Sequence, residues 1–415
     1  DARISVRFGV DNADSRTLRH PIVFIEGFDL DTDGFDKRYG DVTWNTLMTG
    51  LAFNESGEQV RKSLLDLKHL SQKIYQENYD LIFINFRDAT RNLYENGQTV
   101  IRVLQWVESI KEGDDGISVF GASLGGLLSR YAIRQMEIND CNPCVKLNCT
   151  FDSPHQGANL PLGVQHAVDF LKSESANAYL GYLSLSRTAA QQALIYNIIP
   201  GSQAKRNDWQ RWLDQNGHPK TCKNVAITNG SPSGLNGAFD PAELYYDFRQ
   251  VAGGSVVASL RLKAIPDCQQ KEHCSTRIFD GYIPTGNSDL GKYLNGFLGI
   301  SCKKSLVYFS DDLPLDNCSG GMSAWAGVLD DMILNYFQSV AGKSHFSSKN
   351  RRETTFVPTY SSLDMAKTLS HPPIQDMFPK DKLSSGHPFD EIFYHSYDNF
   401  HNQLHVYFDN ETGHN

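Results

Sequence analysis

The chain has no apolar stretch near the ~18 residues a membrane helix requires. Its best runs, Ile22 to Ile25 and Leu81 to Phe86, are strand-sized. It has no long run of lysine or arginine, and 39 basic residues against 48 acidic ones leave a net charge of −9, which argues against a nucleic-acid partner. Internal repeats and low-complexity tracts are absent. With 40% hydrophobic residues over 415 positions the chain has ample material for a large core, which excludes a disordered or fibrous polymer. It begins Asp1-Ala2-Arg3, with neither a methionine nor a charged-then-apolar leader, which reads as a leader removed or a chain trimmed.

Cysteine is sparse but even in number. Cys141, Cys144, Cys149, Cys222, Cys268, Cys274, Cys302 and Cys318 lie in several loop-like neighbourhoods and are read as disulfide partners. Disulfides imply an oxidising compartment, so the expected location is secreted, periplasmic or cell-envelope. The rival reading, zinc on Cys141-x-x-Cys144 and Cys149, lacks a second close pair or a nearby His-x-x-x-His to complete a cage.

Two periodicities alternate through the first part of the chain. His20 to Glu26, Leu81 to Asn85, Ile117 to Phe120 and Val145 to Phe151 read as buried strands. Ser56 to Asn78, Gly97 to Ile110 and Leu124 to Met136 carry apolar residues at helical spacing. Strands joined by helix-length crossovers predict an α/β fold, a mostly parallel sheet with helices on both faces. The expected organisation is an N-terminal core over 1–157, a helical cap or lid over 158–222, a core strand at 223–229, a β-rich, disulfide-containing insertion over 230–349, and a C-terminal part of the core over 350–415. Thr354 to Pro358 and Val406 to Phe408 are expected to return to the sheet.

The five residues Gly121-Ala-Ser-Leu-Gly125 sit where a short apolar strand meets a helix pattern. A sharp turn there strains the serine backbone, the flanking glycines relieve crowding, and the positive end of the following helix favours an anionic intermediate at Ser123. With these residues the chain resembles the α/β-hydrolase-fold serine esterases and lipases. Phe151-Asp-Ser-Pro-His-Gln-Gly157 is similar to the Thr-Pro-His-x-Gly segment of many lipases, and the likeness covers about Pro21 to Gly157. The resemblance implies an oxyanion hole made by the Leu124 N–H and the Phe28 N–H, the latter in Glu26-Gly-Phe-Asp29 where lipases often have His-Gly. The departure is Glu26, whose carboxylate must be paired or turned away from a developing negative charge.

Chain order in that fold points to a C-terminal histidine as base: His405, which precedes an apolar run, with His401 as the alternative. His155 is read as organising its loop by hydrogen bonding. The acid that orients the base is commonly found near Asp-Gly-x-Val-Pro, but Thr354 stands in that place here. Asp152, at the catalytic edge of a parallel sheet, is the first choice. Asp364 is the alternative acid, with a competing role in starting a helix over Met365 to Leu369, and Glu353 is a third option. Asp29, Asp31 and Asp33 before Gly34 resemble half of a calcium loop, but Gly40 stands where a bidentate glutamate belongs.

The expected activity is therefore carboxylic-ester hydrolysis through an acyl-enzyme on Ser123, needing no organic cofactor, with an ester or lipid as substrate. Two alternatives stay open. One is a noncatalytic binding protein on a hydrolase scaffold. The other is an acyltransferase that passes the same acyl group to an alcohol.

Overall fold

The computed structural model describes residues 1–28, 51–53, 59–61, 74–231, 244–265, 275–285, 301–309, 315–323, 343–346, 354–365 and 387–394, apart from 15 and 142–143, with single positions between 292 and 333. In chain order its first strands are β1 (Ala2–Arg7), β2 (Pro21–Ile25), a hairpin of β3 (Leu51–Phe53) and β4 (Gln59–Arg61), β5 (Asp80–Phe86), β6 (Ile117–Ala122), β7 (Val145–Phe151) and β8 (Lys223–Ile227). A second set follows: β9 (Leu244–Ala252), β10 (Ser255–Lys263), β11 (Thr276–Pro284), β12 (Cys302–Phe309), β13 (Gly320–Ser323), β14 (Lys343–Phe346), β15 (Thr354–Pro358) and β16 (Glu391–Phe393).

Among the described residues the central sheet has seven strands in the order β1-β5-β2-β6-β7-β8-β16. Only β1 runs antiparallel to its neighbour. Every residue of β5 is buried, as expected of a parallel strand covered on both faces. This strand order, with crossover helices and a sharp strand-to-helix turn after β6, is the α/β-hydrolase fold.

Helix α1 (Leu93–Ile110) starts where the Asn92 side chain accepts a hydrogen bond from the Tyr94 N–H, a cap that stabilises by about 1 kcal/mol. It buries Val100, Leu104 and Val107 against the sheet. Helix α2 (Leu124–Ile138) follows β6 directly and buries eleven of its residues.

Four further helices, α3 (Leu162–Leu171), α4 (Ala176–Ser186), α5 (Thr188–Ala193) and α6 (Ser202–Asn216), fill the region expected to be a cap. A five-stranded antiparallel sheet, β12-β11-β10-β9-β14, packs one face on them through a core that joins Val164, Phe170 and Leu185 to Phe248, Leu260 and Phe279.

Several expectations need correction. Thr354 to Pro358 forms β15, but it pairs antiparallel with β13 in a separate two-stranded sheet. The return to the central sheet is made by β16, parallel to β8. The helical reading of Ser56 to Asn78 fails at β4, which is extended and paired with β3; residues 62–73 lie outside the described residues, as do Val406 to Phe408. Among the described residues the expected disulfides are not formed: Cys141, Cys144, Cys149, Cys222, Cys302 and Cys318 are all reduced. Cys149 is buried within β7, and Cys318 is buried with its thiol donating to the Leu315 carbonyl at 2.9 Å. Cys268 and Cys274 lie outside the described residues. Among the described residues no helix is long and apolar enough to cross a membrane.

Candidate active site

Ser123 stands between β6 and α2 with φ 51° and ψ −120°, a backbone conformation that non-glycine residues rarely adopt. Space around it is made by two glycines. A Cβ on Gly121 would fall 2.5 Å from the Gly125 backbone, and one on Gly125 would fall 2.3 Å from the Ile25 carbonyl oxygen of β2. Any side chain at either place would push the turn off the sheet. The Ser123 N–H donates to the Phe151 carbonyl at 2.8 Å, and the Asp152 N–H donates to the Ile227 carbonyl at 2.7 Å. These two bonds align the ends of β6, β7 and β8, so Ser123 and Asp152 share the carboxyl edge of the sheet, where open α/β sheets bind ligands.

Loop 26–28 closes over the serine from the end of β2: a Cβ on Gly27 would lie 3.1 Å from the Ser123 Cβ. Glu26 is buried, and its carboxylate accepts a hydrogen bond from the Phe86 N–H at the end of β5. One of its oxygens is therefore tied to the sheet. Phe28, Ser123 and Leu124 line one end of a cavity of about 440 Å³. Its remaining wall is mostly apolar, with Leu160, Val164, Val168, Leu180 and Leu185 from the cap and Met332 and Phe356 from later in the chain. An apolar wall lowers the local dielectric, so the positive end of α2 acts strongly on any charge formed at Ser123; within its first turn the Gly126 N–H donates to the Ser123 carbonyl at 3.1 Å.

Asp152 is fully buried at φ 42°. Its Oδ1 accepts from the Asn229 N–H at 3.1 Å and from the Thr228 hydroxyl at 3.3 Å, both just beyond β8. Asp364 is placed differently. It follows the short helix α7 (Thr359–Ser362), at φ 43°, and positions 366–369 of the helix expected after it lie outside the described residues. Its Oδ2 takes the Arg130 guanidinium at 2.9 Å and the His218 ring at 2.8 Å, and its Oδ1 takes the Gln156 amide at 3.0 Å. Burial alone would raise the Asp364 pKa, but the Arg130 charge and His218 outweigh it and hold the group well below the usual carboxylate range.

His155 belongs to the same cluster. It is fully buried, with Nδ1 3.3 Å from Arg130 and Nε2 3.4 Å from the Thr150 hydroxyl, and it ties its loop to α2. Burial, reinforced by Arg130, lowers its pKa well below the ordinary value. The same two causes bring His218 down to about 4.

His401 and His405, Asp29, Asp31 and Asp33, and Glu353 lie outside the described residues. Among the described residues no group of three metal-ligating side chains is gathered. The sequence reading missed Thr228, which follows β8 at the same sheet edge and was within reach of the rule that selected Asp152. It also missed Arg130, whose role is invisible in a helix pattern.

Residues 58–205 match the family model described as "Putative serine esterase (DUF676)". The match takes in β5, the Ser123 turn and most of the cap, and it supports a serine hydrolase of the esterase type. No curated protein matches the chain. Among solved structures, the lipase BlEst2 of Bacillus licheniformis in mature form is similar at 14% identity, over 55% of this chain and 72% of that one, with a TM-score of 0.31. Esterases of Rhizomucor miehei are similar at 10% identity, over 55% of this chain and 61% of theirs, with a TM-score of 0.31. Lipase A of Candida antarctica is similar at 13% identity, over 52% of this chain and 46% of that one, with a TM-score of 0.26. The fold assignment rests on this chain's own strand order and turn, which these partial overlaps accompany.

Proposed function

We propose that the protein is a carboxylic-ester hydrolase that works through an acyl-enzyme on Ser123. The observation that carries this reading is a serine held at φ 51° on the edge of a parallel sheet, opening into a largely apolar cavity.

In the proposed cycle the Ser123 hydroxyl attacks the ester carbonyl while its proton passes to an imidazole supplied by the C-terminal segment, His405 in first place and His401 in second. The carbonyl oxygen becomes an oxyanion between the Phe28 and Leu124 N–H groups. Collapse of the tetrahedral intermediate breaks the C–O bond to the alcohol, which leaves with the proton from the imidazolium. Water then repeats the sequence on the acyl-enzyme, restoring the serine and releasing the acid. Asp152 is the residue that fixes the imidazole tautomer and stabilises the imidazolium. Asp364 is set aside because Arg130 and His218 already occupy its charge.

The cavity favours an apolar acyl group. Its ~440 Å³ equals roughly fifteen molecules of the size of water, enough for a long acyl chain. Hydrolysis of nitrophenyl esters of increasing chain length tests the reading: activity should rise beyond short acyl groups and vanish in Ser123→Ala. Equal turnover by Ser123→Ala would refute it.

A further inference from the structure

The two oxygens of the Asp152 carboxylate have different surroundings. Oδ1 is held by neutral donors, the Asn229 N–H at 3.1 Å and the Thr228 hydroxyl at 3.3 Å. That hydroxyl is itself aimed. Its oxygen accepts from the Gly230 N–H at 3.1 Å and meets the Ser362 hydroxyl at 2.5 Å; with the Ser362 proton on this shorter bond rather than on the Thr359 carbonyl 3.1 Å away, the Thr228 proton is left to point at Asp152. The Thr228 backbone is fixed from a third direction, its N–H donating to the Phe393 carbonyl of β16 at 2.9 Å.

Oδ2 faces a glycine. A Cβ on Gly321 would lie 2.0 Å from Oδ2 and 2.9 Å from the carboxylate carbon. Gly321 sits in β13 opposite Val357 and is not among the glycines with positive φ, so its backbone would accept any residue. The three atoms closest to such a side chain all belong to Asp152.

We infer that Thr228 and Gly321 are positioning residues for the Asp152 carboxylate: Thr228 anchors Oδ1 without neutralising it, and Gly321 leaves room for Oδ2 to be presented to the base. This rests on the esterase reading above. It also gives the β-rich segment beyond residue 230 a part in the chemistry, because β13 brings Gly321 to the acid from that segment. A hydrogen bond to an ionised group contributes enough that its loss at a positioning contact should lower turnover roughly ten- to a hundredfold.

The test measures kcat and KM on a nitrophenyl ester, together with Tm, for Asp152→Ala, Thr228→Val, Thr228→Ser, Gly321→Ala and the double variant Gly321→Ala with Asp152→Ala. Thr228→Val should lose kcat at unchanged KM, and Thr228→Ser, which keeps the hydroxyl, should recover most of it. Gly321→Ala should lower both kcat and Tm in the native background. In the Asp152→Ala background, where the methyl has room, it should lower neither further, and this coupling in Tm is readable without activity. If Asp152→Ala loses activity while Thr228→Val and Gly321→Ala keep it, the positioning role alone is overturned. If Asp152→Ala keeps full activity, the acid assignment falls and the positioning role falls with it.

Discussion

Asp152 and Asp364 look alike in the sequence and in their backbones: each ends a short local element, each has positive φ, at 42° and 43°, and each carboxylate is largely withdrawn from water. Their partners separate them. Asp152 is met at Oδ1 by a hydroxyl and a backbone N–H, whereas Asp364 is met by a guanidinium and an imidazole. A carboxylate bonded to neutral donors keeps its charge available to a cation formed beside it during reaction. One already paired to a buried arginine has spent that charge on holding the fold. The difference teaches that position at a strand or helix end nominates an acid, while the charge of its neighbours decides what it can do.

The largest effect should come from Asp152→Asn, which keeps shape but removes charge. Turnover should fall by about 10⁴ with little change in Tm, as steady-state kinetics and a thermal melt would show. A loss of less than tenfold would erase the contrast. Asp364→Ala should do the opposite. It strands the buried Arg130 charge and should destabilise the protein by about 3–5 kcal/mol in denaturant titration, while the folded fraction keeps near-native kcat.

Acid sharpens the contrast on the Asp364 side. His155 and His218 are held neutral in the fold, with pKa values lowered by burial and by Arg130, to about 4 for His218. Unfolded histidine takes up its proton near 6.5, so between about pH 6.5 and 5 the unfolded state binds more protons and stability falls as pH falls. His218 should contribute a loss of about 2 kcal/mol by pH 5, and His155 a loss of the same sign. The depressed Asp364 adds its own loss only below its unfolded value of about 4. Tm measured from pH 7 to 5 should drop accordingly, and His218→Asn should flatten the slope by about one proton.

The smallest effect lies away from both carboxylates. A Cβ on Gly181 would sit 3.1 Å from the Val168 side chain and 3.6 Å from the Met332 methyl, both in the cavity wall. Gly181→Val should reduce kcat/KM on long-chain esters by several-fold and leave short-chain esters and stability almost unchanged.

Much of the fold was legible because its signals are local. The buried strands β2, β5, β6 and β7 are short apolar runs, α1 and α2 have clear helical spacing, and the Gly121 to Gly125 turn compresses its geometry into five residues. Phe28, Ser123 and Leu124 come together because all three lie at strand ends on one edge. What escaped was non-local. The pairing of β15 with β13 instead of the central sheet depends on a partner more than thirty residues away, with register Gly320 to Pro358. The edge strand paired with β8, Glu391–Phe393, is too short for any periodicity to announce it. Cysteine parity suggested bridges, but parity says nothing about distance, and the thiols of Cys149 and Cys318 are buried in separate places. Gly321 carries no signal in the sequence beyond being one of two adjacent glycines.

The central claim is that the Ser123 hydroxyl is an activated nucleophile. The most direct measurement is intact-mass and peptide-mass analysis after reaction with a fluorophosphonate. One phosphonyl adduct is expected, on the peptide carrying Ser123, and none in Ser123→Ala. An unlabelled native protein, or an adduct that persists in Ser123→Ala, would contradict it.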